Sequence, residues 1–270
     1  MPQIHRQRGR SARLGLVGVF FAAVIFLVGG TDAEAQDYAP VIDPANFTTE
    51  VTNPYFPLKP GIRWVYEGPN DAGDTEHVVV EVTPETRVVM GVTCVVVHDV
   101  VTVKGKVQED TFDWYAQDKD GNVWYFGEDS KSYDGGQRAS TAGSWEAGVD
   151  GAQPGIIMEA SPKVGDSYRQ EYYKGHAEDM ADVLSVSEKK TVRYGSYEGV
   201  LKTKDYTALE PGVVENKYYA KDVGAIFEVQ VQGDSGQLEL TEMTRPDSPS
   251  PAPSPSPDPP SSCAHRHATG

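Results

Sequence analysis

An internal repeat of period 104 is the feature that most constrains the fold of this chain. One spacing, without a gap, relates residues 59–118 to residues 163–222. A duplication of this kind sets the architecture, because each copy is a supersecondary unit that buries its apolar face against the other. The identical pairs are Lys59/Lys163, Gly61/Gly165, Val82/Val186, Val88/Val192, Gly91/Gly195, Tyr115/Tyr219, Ala116/Ala220 and Asp118/Asp222.

Both copies have the composition of β-strands. Residues 77–83 and 88–103 are rich in Val and Thr, which fit a pleated surface. Residues 118–122 read Asp-Lys-Asp-Gly-Asn, a sequence that favours a hairpin turn because Gly, Asn and Asp tolerate left-handed backbone. No segment combines helical periodicity with caps, and we predict about five antiparallel strands in meander order for each copy.

The predicted fold is all-β: two tandem copies that form one barrel-like or strongly curved antiparallel sheet of about ten strands. A single copy would expose its edge strands and one apolar face, and pairing two copies buries both. Two separate small domains are the alternative. They are disfavoured because a unit of roughly 70 residues is marginally stable by itself.

The N-terminus has the pattern of a secretory signal. A basic stretch precedes an uncharged, mostly apolar run, and Ala33-Glu34-Ala35 fits an A-x-A cleavage site with a mature start at Gln36. The alternative is an uncleaved anchor, but the run is shorter than the roughly 20 residues that span a bilayer. We therefore predict a secreted, periplasmic or cell-surface protein that meets the membrane only through this segment. The basic residues are Arg6, Arg8, Arg10 and Arg13, and the apolar run is 14–28.

The remaining chain divides by composition. A lead-in covers residues 36–52, the duplicated β domain covers 53–245, and a Pro/Ser-rich tail covers 246–270. Proline lacks a donor and fixes φ, so we expect the tail to be disordered and extended. Within the β domain the copies span about 54–130 and 162–231, and a connector without a repeat partner spans 131–161.

The two cysteines do not form a disulfide framework. Cys94 lies in a Val-rich strand, where a small buried apolar residue is expected, and Cys263 lies in the tail. A free tail cysteine in an exported protein can join two chains or attach one to another component.

The charge excludes one class of partner. Without residues 1–35, which hold four Arg and two acidic residues, 20 basic and 38 acidic residues remain, and the net charge is −18. A surface of that sign repels nucleic acid and anionic membranes. No basic-plus-aromatic pattern typical of nucleic-acid binding occurs either.

The connector holds the candidate binding residues. A loop of this length inside a compact domain is usually functional or disordered, and its apolar residues argue against disorder. The functional interpretation is a lid or plug over one end of the barrel; the alternative is a packed connector that completes the core. The candidate ligand-binding residues are Trp145, Glu146, Asp150 and Met158.

No pattern points to a cofactor, a metal or a catalytic nucleophile. The chain has no G-x-S-x-G, H-E-x-x-H, P-loop or dinucleotide motif. Asp118 to Asn122 resembles the start of a calcium loop but lacks the later ligands, so a turn is favoured. His176 near Glu178 and Asp179 is the nearest approach to a metal site, and a solvated loop histidine is favoured there.

The segment Tyr55-Phe56-Pro57-Leu58 leads through Gly61 and Trp64 to Tyr66, and so carries a Y-F-P-L-x-x-G-x-x-W-x-Y motif. In this motif, and in the loop G-S-W-E-A-G-V-D-G-A-Q-P-G-I-I-M at 143–158, the chain resembles a group of exported bacterial β-proteins of uncharacterised function. The resemblance covers roughly residues 53–231. It implies secretion and a β-fold, and brings no activity and no catalytic residue.

Three hypotheses for function remain. The first is an exported, non-enzymatic barrel-like protein that binds a small apolar molecule or a cell-envelope component, with the strand aromatics and the connector as support. The second is a secreted acid–base hydrolase that uses Glu146 and Asp150, with Asp113 as a third carboxylate, and it requires them to converge in one cleft. The third is a structural envelope protein in which the tail and Cys263 matter most.

Overall fold

The computed structural model describes residues 38–233 and 235–246. Within these ranges the protein is built from strands and one short 3-10 helix, Pro44–Asn46, and contains no α-helix. The predicted signal and tail, including Cys263, lie outside the described residues apart from Pro246. The strands are β1 (Phe47–Thr48), β2 (Arg63–Pro69), β3 (Thr75–Val89), β4 (Val92–Val103), β5 (Lys106–Asp118), β6 (Val123–Asp134), β7 (Gln137–Ser140), β8 (Trp145–Glu146), β9 (Gln153–Met158), β10 (Ser167–Arg169), β11 (Glu171–Tyr172), β12 (Asp179–Val192), β13 (Gly195–Thr207), β14 (Val214–Ala220), β15 (Gly224–Gln232) and β16 (Gln237–Thr244).

One continuous antiparallel sheet contains these strands. Its order is β10-β12-β13-β14-β15-β16-β2-β3-β4-β5-β6-β9-β11. Strand β1 pairs with β5, and β7 and β8 both pair with β6, outside this path. Two meanders, β2 to β6 and β12 to β15, are therefore joined through β16, which pairs with β2.

The two ends of the sheet meet in one stretch of chain. Ser167–Arg169 pairs with β12, and Glu171–Tyr172 pairs with β9. The same short segment thus supplies both the first strand, β10, and the last strand, β11, of the order and nearly closes the sheet into a barrel. Gly155 on β9 makes this approach possible, because a Cβ there would lie 2.3 Å from the backbone carbon of Gln170.

The all-β, antiparallel, barrel-like prediction is confirmed, but the path holds 13 strands rather than about ten. The connector supplies β9 to this path, and its strands β7 and β8 pair with β6 outside the path. The duplication stays a prediction. At equivalent positions of the β3–β4 and β12–β13 hairpins, Glu81 opposite His98 and Ser185 opposite Lys202 keep the spacing of 104. Val79 opposite Val100 and Val183 opposite Thr203 differ by one residue.

The interior is apolar in one part and acidic in another. Inward-facing positions alternate along each strand, and on β4 this alternation places Val97, Asp99 and Val101 on the buried face. Cys94 is a free, fully buried thiol, as predicted. The largest fully buried apolar side chains are Tyr115, Phe126, Met158, Leu201, Ile226, Leu238 and Leu240.

The chain before β2 packs against the apolar part of the interior. Thr52 and Asn53 donate their backbone N–H groups to Oε1 of Gln117, each at 2.8 Å. The Asn53 side chain donates to the carbonyl oxygens of Gly121 and Glu159, both at 3.0 Å. These bonds fix the segment that carries Phe56, whose ring contacts Tyr115 edge-on at 5.2 Å.

Candidate functional site

Buried carboxyl groups occupy adjacent inward positions on β4, β5 and β6. Asp99, Asp113 and Glu128 are 1%, 0% and 2% exposed. Asp113 lies directly opposite Glu128 in the β5–β6 ladder, and directly opposite Val97 in the β4–β5 ladder. Because residues two apart on a strand share a face, Asp99 lies on the same side of the sheet as Val97 and Asp113.

Gly127 sets the local geometry of this row. Its φ is +129°, and a Cβ would lie 2.3 Å from the carbonyl oxygen of Trp145. A side chain at 127 is therefore excluded, and β8 can pair closely with β6 next to Glu128. The β5–β6 register shifts at the same place, between the Asp113 and Tyr115 pairs. The shift keeps both Tyr125 and Glu128 buried.

The carboxyl groups have few hydrogen-bond partners. Asp113 Oδ1 accepts a bond of 2.7 Å from the hydroxyl of Tyr125. Both carboxylate oxygens of Asp99 and Oε2 of Glu128 are buried and accept no bond from the described part of the chain. Unpaired buried oxygens are costly, so these groups need a proton or a bound partner.

The acidic row continues around the interior. Burial, and next to it the nearby charge of Asp179, raise the pKa of Glu171 well above its ordinary value, while the indole of Trp145 lowers it. Burial and the Glu171 carboxylate also contribute to the raised pKa of Glu128. We call the following residues, all nine-tenths or more buried, the acidic row: Glu76, Asp99, Glu109, Asp113, Glu128, Glu171 and Asp179.

The pKa shifts in this row share one main cause, the loss of hydration. Burial, with the charge of Asp110, raises the pKa of Asp99 to about 7. Burial, with the charges of Asp71 and Asp99, raises the pKa of Glu76 to about 8. Burial also raises the pKa of Asp113 well above its ordinary value, although the hydroxyl of Tyr125 opposes the shift. The row therefore retains protons at a pH where exposed carboxyl groups are ionised.

A lysine occupies the corresponding part of the second meander. Lys217 is 8% exposed, and its Nζ lies 3.4 Å from Oδ2 of Asp205. It lies 3.9 Å from Oε2 of both Glu215 and Glu228. Burial alone lowers the pKa of Lys217, but the three carboxylates raise it well above the ordinary value. We call Lys217 and these three carboxylates the lysine site.

A small apolar cavity lies beside the acidic row. It is partly open, has a volume of about 40 Å³, and its lining includes Phe56, Trp64, Tyr66, Val80, Val97 and Tyr115. Val80 and Val97 are neighbours of Asp99: the first is directly opposite it across the β3–β4 ladder and the second is two residues earlier on β4. A volume of this size holds about three waters or a short alkyl group.

The connector residues proposed from the sequence do not line this cavity. Trp145 and Met158 are 5% and 0% exposed and pack in the core, Trp145 edge-on against Tyr125 at 5.3 Å. Glu146 forms an ion pair with Arg87, and Asp150 is exposed in a turn with φ of +49°. Of the four, only Trp145 reaches the acidic row, through its indole near Glu171.

The three carboxylates of the hydrolase hypothesis lie in different surroundings. Asp113 faces the interior, whereas Glu146 binds Arg87, whose guanidinium stacks at 3.9 Å on Trp114. Trp114 follows Asp113 on β5 and so points to the opposite face of the sheet. Asp150 is in the exposed turn, and the three do not share a cleft.

The two places where the sequence allows a metal site have other structural roles. Asp118 accepts bonds of 2.9 Å from the backbone and side chain of Asn122 and from Trp124 Nε1, which confirms a hairpin turn. His176 stacks on Tyr173. In the ranges that the structure describes, no group of three His, Cys, Asp or Glu side chains has the geometry to hold a metal ion.

Sequence reasoning missed the acidic row. The signal was present on β5, where Glu109, Thr111 and Asp113 alternate with Asp110, Phe112 and Trp114. A polar residue at every second position is usually interpreted as a solvent face. Here that face is the interior, because Phe112 and Trp114 pack on the outside against Lys131 and Arg87.

Comparison with known proteins gives structural similarity only. No protein-family model matches the chain, and no curated protein matches it. A protein from Bacteroides fragilis, provisionally described as exported with a YMCC-like fold, aligns with TM-score 0.42 and 14% identity over 71% of this chain and 99% of its own. A provisionally described lipoprotein from Parabacteroides distasonis aligns with TM-score 0.41 and 15% identity over 70% of this chain and 98% of its own. Neither similarity assigns a family or a function to this chain.

Across residues 38–233 and 235–246, no helix is long and apolar enough to cross a bilayer.

Proposed function

We propose that this chain is an exported, non-enzymatic β-protein that binds a small apolar ligand in the cavity beside the acidic row. The observation that carries the proposal is the cavity itself. Its side chains are aromatic or aliphatic, and it remains partly open where the chain before β2 packs. Binding sites are typically concave and mostly apolar, with a few polar groups that orient the ligand.

The architecture supports a preformed site. Trp64 donates its indole N–H to the carbonyl oxygen of Val223 at 2.7 Å, and Tyr66 donates its hydroxyl to the carbonyl oxygen of Ala225 at 3.0 Å. Both polar atoms are therefore used within the protein, and the rings present apolar surface to the cavity. A ligand entering it pays little to order these side chains, which favours binding of small molecules.

The ligand test is a titration with 1-butanol, followed by chemical-shift changes of backbone amides in the full-length protein. We expect saturable shifts around Val80, Val97 and Ala225, with a dissociation constant of about 1 mM, which corresponds to about −4 kcal/mol. Ala225→Leu fills the cavity and should weaken binding at least tenfold. Val231→Leu, on the exposed part of the same strand, is the matched control and should bind as the parent does.

The export part of the proposal has its own test. The basic start, the apolar run and the A-x-A site of the first 35 residues support cleavage after Ala35. N-terminal sequencing of the protein recovered outside the cytoplasm should give Gln36. Recovery only from the cytoplasm with Met1 or Pro2 at the N-terminus would contradict export without bearing on the cavity.

A further inference from the structure

The lysine site shows how this protein satisfies a buried carboxylate. Asp205 is 6% exposed, and the ammonium of Lys217 lies 3.4 Å from it. An ammonium group donates charge-assisted hydrogen bonds, which are stronger than neutral ones. The protein therefore places a primary amine beside a buried acid in this part of the interior.

Asp99 holds the corresponding position in the first meander without such a partner. Val97 on β4 lies opposite Asp113 on β5, and Thr203 on β13 lies opposite Lys217 on β14. Asp99 comes two residues after Val97, and Asp205 comes two residues after Thr203. In place of the ammonium, the first meander has a carboxyl group. Both oxygens of Asp99 are buried and have no hydrogen-bond donor among the described residues.

Electrostatic interactions link Asp99 to carboxyl and tyrosine groups on β2, β3 and β5, and no cation is among them. After burial, the charge of Asp110 raises the pKa of Asp99. In addition to burial, the charge of Asp99 in turn raises the pKa values of Tyr66, Glu76, Glu109, Asp113 and Tyr115.

The apolar cavity adjoins this carboxyl group. Its lining residues Val80 and Val97 are the cross-strand and same-face neighbours of Asp99, so the cavity wall lies beside the Asp99 side chain on the same face of the sheet. Tyr66, another lining residue, is close enough for the charge of Asp99 to raise the pKa of its hydroxyl, second to the effect of burial.

We propose that the cavity binds small alkyl amines, with the alkyl group against Val80 and Val97 and the ammonium group donating to the carboxylate of Asp99. This proposal rests on the proposed function, because it uses the same cavity. It adds the chemical class of the ligand and the residue that selects it. The ammonium takes the place that Lys217 Nζ takes beside Asp205.

The test compares n-butylammonium, 1-butanol and butyrate by the same amide titration at pH 8. We expect n-butylammonium to bind at least tenfold more tightly than 1-butanol, and butyrate to bind more weakly than either. The preference for the amine should decrease from pH 8 to pH 6, because the pKa of Asp99 is raised to about 7 by burial and by Asp110, and the acid then becomes neutral.

Asp99→Asn removes the charge of the carboxylate and keeps the shape of the cavity. It is nearly isosteric, and it should abolish the preference for n-butylammonium over 1-butanol. Asp110→Asn is the matched control: it removes a carboxylate next to the same strand, but one that is half-exposed and bound to His98. It should keep the amine preference.

The outcomes separate the two proposals. Equal binding of 1-butanol and n-butylammonium, or an amine preference that survives in Asp99→Asn, overturns the amine assignment and leaves the apolar ligand site standing. Saturable binding of none of the three probes overturns both. Circular dichroism of each variant establishes that it is folded before it is titrated.

Discussion

Two hairpins of this protein carry a charged residue at the same ladder position, but only one of them holds a buried counter-ion. In the β5–β6 hairpin Asp113 faces Glu128, and in the β14–β15 hairpin Lys217 faces Glu228. All four side chains are nine-tenths or more buried, and each hairpin has a buried tyrosine two residues after its first charged residue, Tyr115 or Tyr219. The charge at this position is negative in Asp113 and positive in Lys217. This difference distinguishes the acidic row, which has no counter-ion, from the lysine site, which has one.

The comparison shows two physical solutions for buried acids. At the lysine site the attraction of three carboxylates raises the pKa of Lys217 despite its burial, while burial raises the pKa values of Glu228 and Glu215 and the ammonium opposes that shift. In the acidic row, burial is the largest cause of each shift, so the acids hold protons instead. The first solution depends on a residue of the chain, and the second depends on pH or on a bound cation.

The largest expected effect is therefore a loss of stability as the pH rises. Unfolded Asp and Glu lose their protons near pH 4, whereas in the folded state Asp99 and Glu76 hold theirs to about 7 and 8. The folded state binds more protons in that window, so the free energy of unfolding should be greatest near pH 4 and fall towards pH 8. For Asp99 alone the fall is on the order of 4 kcal/mol.

Urea unfolding at pH 4, 6 and 8 measures this slope. A free energy of unfolding that stays constant or rises over this range would show that the acidic row is ionised and compensated in the folded state. The amine proposal gives a further check, since saturating n-butylammonium should reduce the fall between pH 6 and pH 8.

Lys217→Met removes the counter-ion of the lysine site. It leaves Asp205, Glu215 and Glu228 buried without their ammonium, and we expect a loss of about 3–5 kcal/mol at pH 8. The loss should be smaller at pH 5, because the raised pKa values of Glu228 and Glu215 let them take up protons. Lys189→Met is the control: its ammonium is largely exposed and bound to Glu198, so its effect should stay within about 0.5 kcal/mol.

These expectations show where sequence reasoning succeeds and stops. The Val-rich runs and the 118–122 turn depend on local chemistry, and the structure forms strands β3 and β4 and the β5–β6 hairpin there. The acidic row depends on which face of β5 points inwards, and alternation alone does not determine the face. The row also has a non-local neighbour: Gly127 lets β8 pair closely with β6 beside Glu128, a contact that alternation does not predict.

The connector is a second example in which the sequence predicts order but not the position of the segment in the fold. Trp145, Ile156 and Met158 correctly indicated an ordered segment, but their apolar character fits a sheet strand as well as a lid. Strands β8 and β9 complete the edge of the sheet next to β6. The cavity forms instead at Val97 and Tyr115, where residues of the chain before β2 approach the interior.

Asp113→Asn removes one ionisable group from the acidic row. Asparagine keeps an oxygen that accepts the Tyr125 hydroxyl and removes the group that must either hold a proton or bury a charge. We expect a stabilisation of about 1–3 kcal/mol at pH 8 and a shallower pH dependence. The matched variant Asp129→Asn, at a half-exposed carboxylate on β6, should be nearly neutral. Destabilisation by Asp113→Asn at pH 8 would show that its charge is compensated.

The smallest effect is expected at Glu146, a predicted ligand-binding residue that the structure places in an ion pair with Arg87. Both side chains are partly exposed, and Arg87 also stacks on Trp114. Glu146→Gln should therefore cost no more than about 1 kcal/mol, less at high salt, and leave 1-butanol binding unchanged. Weakened binding in this variant, with the free energy of unfolding intact, would place the ligand near the connector rather than at Val80 and Val97. Both Glu146 and Asp113 are carboxylates on strands that pair with β6, so the contrast between them rests on burial and on the counter-ion that only Glu146 has.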